Sequence, residues 1–239
     1  MQFRNPGAII EESLRYRWLK NYFSTRQKRD ILLDLGCGPR PYLDLYKGSY
    51  HKSIGAEHPN APFPKSSIDI YCDASSIPLG DESIDTILCT EVLHDIAEPT
   101  IVLNEAFRVL KKGGDMILST PFVVPVVDGE YDHYRFTYYG LKHLFHKSGY
   151  KIISIEPVGD VFSSTITLWT KPWLKLFNVL SKKTGIRYFY SVYNPFFFLT
   201  TTLPQLLYLV TRTLPGFKQL FARFSYGCTG FISHVKRPA

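Results

Sequence analysis

Acids and glycines that follow short apolar runs are the residues of this chain best placed to do chemistry. Residues 31–35 are apolar except for Asp34, and Gly36 and Gly38 follow them directly. Two positions without a β-carbon let the backbone approach a ligand closely, and Pro39 stops further strand pairing. We therefore predict a buried strand that ends in a ligand-binding turn.

Two further acids stand where the next predicted strands end. Glu57 is the last residue of the predicted strand 53–57, and Asp73 lies near the end of the predicted strand 68–74. An acid at the end of a second strand can accept both ribose hydroxyls of a nucleoside, because one carboxylate has two acceptor oxygens. The alternative for Glu57 is a solvated loop acid.

The glycine turn alone leaves several ligands open. A Gly-x-Gly pair also occurs in plain tight turns and as half of a dinucleotide site. The dinucleotide fingerprint needs a third glycine where this chain has Pro41, and the Gly-Lys-Ser/Thr of a P-loop is absent.

A regular alternation of strands and helices must position these residues. We predict strands at 31–35, 53–57, 68–74, 83–89 and 116–121, with helices at 42–47 and 99–110. Lys111, Lys112, Gly113 and Gly114 would end the second of these helices with cations and a glycine stop. This alternation predicts a parallel sheet with helices on both faces, and strands at 151–157 and 230–236 would complete it as an antiparallel pair.

The order of these pieces resembles the type-11 branch of class I S-adenosylmethionine (SAM) methyltransferases over residues 31–150. Leu-Asp-Leu-Gly-Cys-Gly at 33–38 is similar to the first motif of the family, and residues 90–96 are similar to its segment beside SAM. Leu-Lys-Lys-Gly-Gly at 110–114 completes the combination. The chain departs from the usual pattern at His94-Asp95, where the family has Glu-His.

The resemblance implies a Rossmann-like, doubly wound, seven-stranded α/β sheet with SAM as the cofactor. The glycine turn would pack on the methionine part of SAM, with Asp34 toward its amino end and Glu57 on the ribose. Asp73 and Ala74 would contact the adenine. The complete set of cofactor-binding residues that this resemblance implies is Asp34, Gly36, Cys37, Gly38, Glu57, Asp73, Ala74, Cys89, Thr90 and Glu91.

The acceptor side is expected in residues 131–137, which resemble the Tyr-Arg-Tyr/Phe-Thr element of many members. Thr137 would cap a helix over 138–148. The residues just before it follow the fifth strand, so they should face the substrate mouth at the carboxyl edge of the sheet.

Four side chains are candidates for work on the acceptor. His133 is the first candidate base, because the pKa of imidazole lies near neutrality, and His94 is the second. Tyr134 would orient the acceptor, and Arg135 would hold a phosphate or carboxylate on it. A purely structural role is the alternative for each histidine.

Residues 160–229 form a predicted insertion between the last two strands. From 161 to 239 the chain has ten Lys or Arg and no Asp or Glu, so residues 1–160 carry 18 basic and 21 acidic residues, a net of −3. Residues 188–211 lack charge, and Pro195 and Pro204 divide them; a helix over 162–179 would be broken at Pro172. We predict amphipathic helices lying on an anionic membrane surface, with a lid or dimer contact as the alternative.

The predicted organisation is an amphipathic helix within 1–29, a SAM-binding core at 30–159, the insertion at 160–229 and the last strand at 230–239. That helix covers 8–23, with apolar residues at Ile10, Leu14, Trp18 and Tyr22. The four cysteines lack metal-ligand spacing and the chain opens on polar residues, so we expect a reducing cytoplasmic setting and no metal site.

The leading hypothesis is a SAM-dependent methyltransferase with a lipid-linked, polyketide-like or saccharide acceptor near a membrane, peripheral on its inner face. Rivals are a soluble small-molecule O- or N-methyltransferase, a SAM-binding scaffold without turnover, and a nucleotide-binding oxidoreductase. Nucleic acid binding is disfavoured, because no RNA-binding signature occurs and the aromatics run with aliphatics.

Overall fold

A seven-stranded sheet in the order β3-β2-β1-β4-β5-β7-β6 forms the framework of the protein. This computed structural model describes residues 8–25, 29–63, 65–126, 129–185 and 195–239. The strands are β1 Arg29–Leu35, β2 Tyr50–Glu57, β3 Ile70–Tyr71, β4 Ile84–Thr90, β5 Leu110–Pro121, β6 Lys151–Val158 and β7 Gly230–Lys236. The predicted Rossmann-like, doubly wound α/β sheet is confirmed.

Eight α-helices accompany the sheet in the described residues. They are α1 Ile9–Ser24, α2 Leu43–Tyr46, α3 Pro99–Val109, α4 Tyr138–Lys147, α5 Val161–Thr184, α6 Pro195–Phe197, α7 Leu203–Thr211 and α8 Pro215–Arg223. A π-helical turn over Phe198–Thr202 joins α6 to α7, and 3-10 turns occupy Lys65–Ser67, Leu93–Asp95, Gly129–Tyr131 and Ser225–Gly227.

The sheet has its switch point between β1 and β4. Strand β1 pairs in parallel with β2 on one side and with β4 on the other, and β4 pairs in parallel with β5. Strand order therefore reverses at β1 and β4, and ligands bind beyond the carboxyl ends of strands at such a point. Leu32 to Leu35 of β1 are buried, as expected for a strand covered on both faces.

Strand β7 runs antiparallel to its neighbours, as predicted. The amide of Thr229 donates to the Val158 carbonyl at 3.0 Å, which brings the start of β7 to the end of β6. At its other end, Arg237 exchanges backbone hydrogen bonds with Gly113 and Gly114, near the start of β5.

Those same bonds show that the predicted helix stop at Lys111 to Gly114 is wrong. Helix α3 ends at Val109, and Leu110 is already extended at φ −75° and ψ 130°. The two lysines and two glycines belong to β5, because Arg237 pairs with their backbone and Lys111 Nζ binds Asp85 at 2.9 Å.

Strand β3 is shorter than the predicted 68–74. Before it, the Asp69 carboxylate accepts the Gly55 amide at 2.7 Å, so a side chain replaces part of the strand ladder. After it, the Asp73 carboxylate accepts the amide of Ser75 at 2.8 Å and turns the chain away. Two local carboxylate bonds thus confine the strand to Ile70–Tyr71.

The described residues divide into two compact units. The larger comprises described residues within 16–122, 126–156 and 231–239, and the smaller those within 1–15, 123–125 and 157–230. Helix α1 contributes to both, whereas the four-segment division proposed from the sequence gives it a segment of its own. That division remains a proposal.

The smaller unit is built on α5, α7 and α8. Helix α5 begins with Asp160, whose carboxylate caps it and also accepts from the Tyr208 hydroxyl and the Arg212 guanidinium, each at 2.7 Å. Ile10, Tyr208 and Phe221 form a buried cluster. The predicted break at Pro172 is wrong, because α5 continues through it to Thr184, with the ring on an exposed side where a missing amide is tolerated.

No helix among the described residues is both long and apolar enough to cross a bilayer. The first part of the charge-free run, residues 188–194, lies outside the described residues.

Candidate cofactor and acceptor site

The turn after β1 is shaped so that only glycine fits at its first position. Gly36 has φ +69° and Gly38 has φ +51°. A β-carbon on Gly36 would lie 2.2 Å from Cγ2 of Val92, whereas one on Gly38 would meet the Phe63 ring at 3.6 Å. The amides of Gly36 and Cys37 donate to the Ala56 carbonyl at 2.9 and 3.0 Å, which ties the turn to β2.

Glu57, the last residue of β2, lies directly against this turn. Its Oε2 accepts the Gly38 amide at 2.7 Å, and its Oε1 accepts the His58 amide at 2.9 Å. A carboxylate has about four acceptor positions, so two remain for other donors. The carboxylate is therefore both oriented by the turn and able to accept a pair of ribose hydroxyls.

Asp34 is a buried acid beneath the glycine turn. Its side chain is 2 % exposed, and its Oδ2 accepts the Tyr46 hydroxyl at 2.6 Å. Burial raises the pKa of Asp34 to about 7, and the Tyr46 hydrogen bond and the Arg40 charge oppose that rise. The carboxyl group is thus poised to change its charge near neutral pH and would prefer a cationic ligand nearby.

Asp73 and Ala74 follow β3 as predicted. The hydrogen bond from the Ser75 amide lowers the pKa of Asp73, so the exposed carboxylate is ionised at neutral pH. Glu105 of α3 secures the following loop by accepting the Ile77 amide at 2.8 Å.

The end of strand β4 and the residue after it contain three predicted cofactor residues with different environments. Cys89 is fully buried and burial raises the pKa of its thiol to about 12, so this side chain belongs to the core and only its backbone can face a ligand. Thr90 ends the strand. Glu91 has φ +55° and exchanges two hydrogen bonds with Ser119, its amide at 3.0 Å and its Oε1 at 2.9 Å. These two hydrogen bonds hold Glu91 in its positive-φ conformation beside the glycine turn.

Cys37 contributes to the glycine turn through its backbone and not through its thiol. Burial raises the pKa of its thiol to about 12, and the sulfur lies 3.8 Å from the Ser67 carbonyl oxygen. The thiol is therefore a protonated packing group.

The two predicted acceptor loops meet at one backbone carbonyl. The amides of His133 and Tyr134 both donate to the His94 carbonyl at 3.0 Å. The His94 ring is buried, with Nε2 at 3.2 Å from Asp95 Oδ1, while the His133 side chain is exposed. The structure thus joins the two candidates through their backbones, and of the two side chains only that of His133 is exposed.

Tyr134 and Arg135 have partners inside the protein. The Tyr134 hydroxyl donates to the Ala97 carbonyl at 2.9 Å, and its ring stacks on Phe136 at 5.3 Å. Arg135 grips the Asp132 carboxylate with both terminal nitrogens, one of them at 2.7 Å. Because Asp132 already neutralises this guanidinium, Arg135 is better suited to fixing the loop than to binding an anion.

One group of potential metal ligands occurs within the part of the chain that the structure describes. His94, Asp95 and Asp132 each offer one ligand atom, and these atoms lie within 4.8 Å of one another. Since Asp132 is paired with the Arg135 guanidinium, a cation already occupies part of the cluster, and we assign no metal to it.

Sequence reasoning missed Arg40 and Tyr46, which complete the surroundings of Asp34. Arg40 has φ +54°, and its guanidinium donates to the Tyr46 hydroxyl at 3.2 Å, to Asp69 at 2.9 Å and to Ser53 at 2.9 Å. Neither residue stands at a motif position. Only the fold brings them beside the buried acid.

Part of this chain is similar to known methyltransferases. A family model described as "Methyltransferase domain" matches residues 33–118. Demethylmenaquinone methyltransferase of Clavibacter sepedonicus is 38% identical over 68 residues, which cover 27% of each chain. The 27-O-demethylrifamycin SV methyltransferase of Amycolatopsis mediterranei is 30% identical over 109 residues, which cover 40% of each chain. The chain thus spans well under half the length of these relatives.

The fold agreement extends over more of the chain. Phosphoethanolamine N-methyltransferase 2 of Haemonchus contortus, solved with S-adenosyl-L-methionine, has a TM-score of 0.55 at 13% identity over 97% of this chain and 56% of its own. At that identity the likeness shows the fold alone. The glycine cradle and the Glu57 carboxylate fit SAM, the cofactor of this family. Residues 33–118 match a methyltransferase domain, which supports the resemblance of this part of the chain to the type-11 branch of class I SAM-dependent methyltransferases.

Proposed function

We propose that this chain transfers the methyl group of SAM to a small-molecule acceptor with an oxygen or nitrogen nucleophile. The observation that carries the proposal is the contact between the Gly38 amide and the Glu57 carboxylate at 2.7 Å. It joins the end of β2 to the turn after β1, at the switch point of the sheet, which is where a nucleoside is bound in such folds.

SAM supplies an activated methyl group and a good leaving group when it is bound. The work left to the protein is to hold the acceptor in line at near-attack distance. The loop that follows β5 suits that task, because two of its amides are fixed on the His94 carbonyl and Arg135 is fixed on Asp132. His133, exposed on this fixed loop, would take the proton from the acceptor.

The finer part of the proposal concerns the acceptor, for which we propose a lipid-linked or saccharide-bearing molecule reached near a membrane. Support comes from residues 161–239, which contain ten Lys or Arg and no acid. A surface of that composition is attracted to anionic lipid. A freely soluble acceptor is the second candidate, and it predicts full activity without vesicles.

Replacing Glu57 with alanine is expected to weaken SAM binding by about 10–100-fold, because hydrogen bonds to a charged group contribute about 1.5–3 kcal/mol. Isothermal titration calorimetry with SAM measures the change. Glu156→Ala, at an exposed acid of β6, is the matched control and should bind SAM as the wild type does. Equal affinity of Glu57→Ala and wild type would remove Glu57 from the ribose role.

Replacing His133 with alanine should leave SAM affinity within about twofold and reduce turnover by about 100-fold or more, the usual contribution of a general base. Release of S-adenosylhomocysteine with cell-extract metabolites as acceptors gives the turnover. His143→Ala, at an exposed histidine of α4, controls for loss of a surface imidazole. Full turnover of the His133 variant would exclude this histidine as the base.

A further inference from the structure

Over its first turns, helix α5 buries hydroxyl side chains and exposes apolar ones. Ser163, Ser164, Thr167 and Thr170 are buried, with Thr167 at 0% exposure. The opposite side carries larger apolar side chains, and Trp169 there is 57% exposed. A helix of a water-soluble domain normally buries its apolar stripe and exposes its hydroxyls, so the polarity of this helix is reversed.

Three of these four buried hydroxyls donate to backbone carbonyls, whereas the Thr167 hydroxyl has no partner among the described residues. Thr170 Oγ1 donates to the Thr167 carbonyl at 3.0 Å, and Ser164 donates to the Gly227 carbonyl. Ser163 bonds reciprocally with Asp160 in the cap of the helix. The hydrogen bonds of Ser163, Ser164 and Thr170 hold the polar side of α5 in the interior, so its apolar side faces outward.

Helix α7 and the π-helical turn before it likewise bury polar side chains and expose apolar ones. Thr201 and Gln205 are buried at 0% exposure, and Gln205 Nε2 donates to the Thr201 carbonyl at 2.8 Å. Leu207 is 55% exposed and Val210 is 62% exposed. Two neighbouring helices of one unit thus present apolar side chains outward, which a scatter of single exposed residues would not produce.

Eight exposed apolar residues of these two segments make up what we call the outer apolar face: Leu168, Trp169, Leu176, Val179, Leu199, Leu206, Leu207 and Val210. On α5 the members at 168, 176 and 179 repeat at helical spacing, and Lys171, Lys175 and Lys182 lie to one side of that line. No acid occurs after Asp160 in the sequence.

We propose that the outer apolar face lies in the headgroup region of an anionic phospholipid bilayer. The apolar side chains enter the boundary of the acyl chains, and the flanking lysines contact lipid phosphates, as in helices that lie along a membrane surface. The absence of acids from residues 161–239 favours this occupant over a protein partner, whose surface would offer charges of both signs. This inference deepens the membrane part of the proposed function by naming the surface that binds.

Vesicle flotation of the whole chain tests the proposal without SAM or acceptor, so that failed methyl transfer and failed docking are separate results. The wild type should float with vesicles of phosphatidylglycerol and phosphatidylcholine and bind phosphatidylcholine alone more weakly. The double variant Leu168→Gln/Leu176→Gln should lose about tenfold or more in partitioning, because two leucines would no longer enter lipid.

Ile101→Gln/Ile153→Gln is the matched control, because both isoleucines are exposed but belong to α3 and β6. Its partitioning should equal that of the wild type. A wild type that stays in solution, or two double variants with equal partitioning, overturns the proposal. So does a dimer, seen by light scattering, that only the α5 variant dissociates, because a second copy would then cover the face.

A second readout measures the wild type directly, and one variant assigns the signal to Trp169. Trp169 fluorescence should shift to the blue with anionic vesicles and be quenched by brominated acyl chains, and Trp169→Phe should remove most of that response. An unchanged spectrum in the presence of vesicles contradicts insertion of this face.

Discussion

Replacing Gly36 with alanine will abolish measurable SAM binding. At φ +69° an added β-carbon would lie 2.2 Å from Cγ2 of Val92, well inside van der Waals contact. Val92 follows β4, so the clash would push apart the two segments that flank the cofactor in the proposed site. We expect SAM affinity to fall by about 100-fold or more in calorimetry, because a small displacement of a positioning element has such an effect.

Gly113→Ala separates this clash from backbone strain alone. Gly113 has φ +72°, nearly the same as Gly36, but nothing lies within 4 Å of its added β-carbon. The control should lose about 1–2 kcal/mol of folding free energy and keep its affinity for SAM. Adding Val92→Ala to the Gly36 variant should recover part of the binding. Normal SAM binding by Gly36→Ala would contradict the placement of the cofactor.

Replacing Asp34 with asparagine will remove the pH dependence of SAM binding near neutrality. Burial raises the pKa of Asp34 to about 7 in the ligand-free protein. The amino end of SAM is cationic and favours the ionised carboxylate, so wild-type affinity should rise by up to about tenfold per pH unit as pH increases toward 7. The Asp34→Asn variant should bind more weakly and with a flat profile from about pH 5.5 to 8.5.

The same substitution should stabilise the ligand-free protein at high pH. A carboxyl whose pKa is higher in the folded than in the unfolded chain stabilises the fold at low pH, and that contribution is lost as pH rises from about 4 through about 7. Wild-type unfolding free energy should therefore fall across this window. Asparagine still accepts the Tyr46 hydroxyl, so Asp34→Asn should be about 2–4 kcal/mol more stable at pH 8.

Chemical denaturation at several pH values measures this difference. Asp30→Asn, at an exposed acid of the same strand, is the control and should follow the wild-type profile. If SAM affinity and unfolding free energy depend on pH in the same way for Asp34→Asn and the wild type, the pKa of Asp34 is not raised in the folded protein.

The parts of the fold that local patterns encode could be predicted from the sequence. Residues 31–35 are apolar enough to require burial on both faces, and β1 lies at the centre of the sheet. Thr137 was predicted to cap the next helix, and its Oγ1 accepts the Gly140 amide at 3.0 Å. Both outcomes follow from residue type and immediate neighbours.

Other parts depend on partners far away in the chain. Lys-Lys-Gly-Gly at 111–114 fits a helix end by its local chemistry, and only the pairing with Arg237 makes it a strand. The length of β3 depends on the Asp69 bond to Gly55, which no periodicity reveals. The surroundings of Asp34 are likewise tertiary, because Arg40 and Tyr46 meet it only in the folded chain.

For the insertion, the class of binding partner could be predicted from the sequence, but the orientation of its helices could not. Its basic, acid-free sequence indicates an anionic partner, but it does not show which side of α5 is buried. Burial of Thr167 and exposure of Trp169 depend on how α5 packs within its unit.

The central claim is that this domain binds SAM at the glycine turn, and calorimetry with SAM on the wild-type chain tests it most directly. We predict a single site with micromolar affinity that disappears in Gly36→Ala and persists in Gly113→Ala. The absence of any binding heat at millimolar SAM, with the protein folded, would contradict the account.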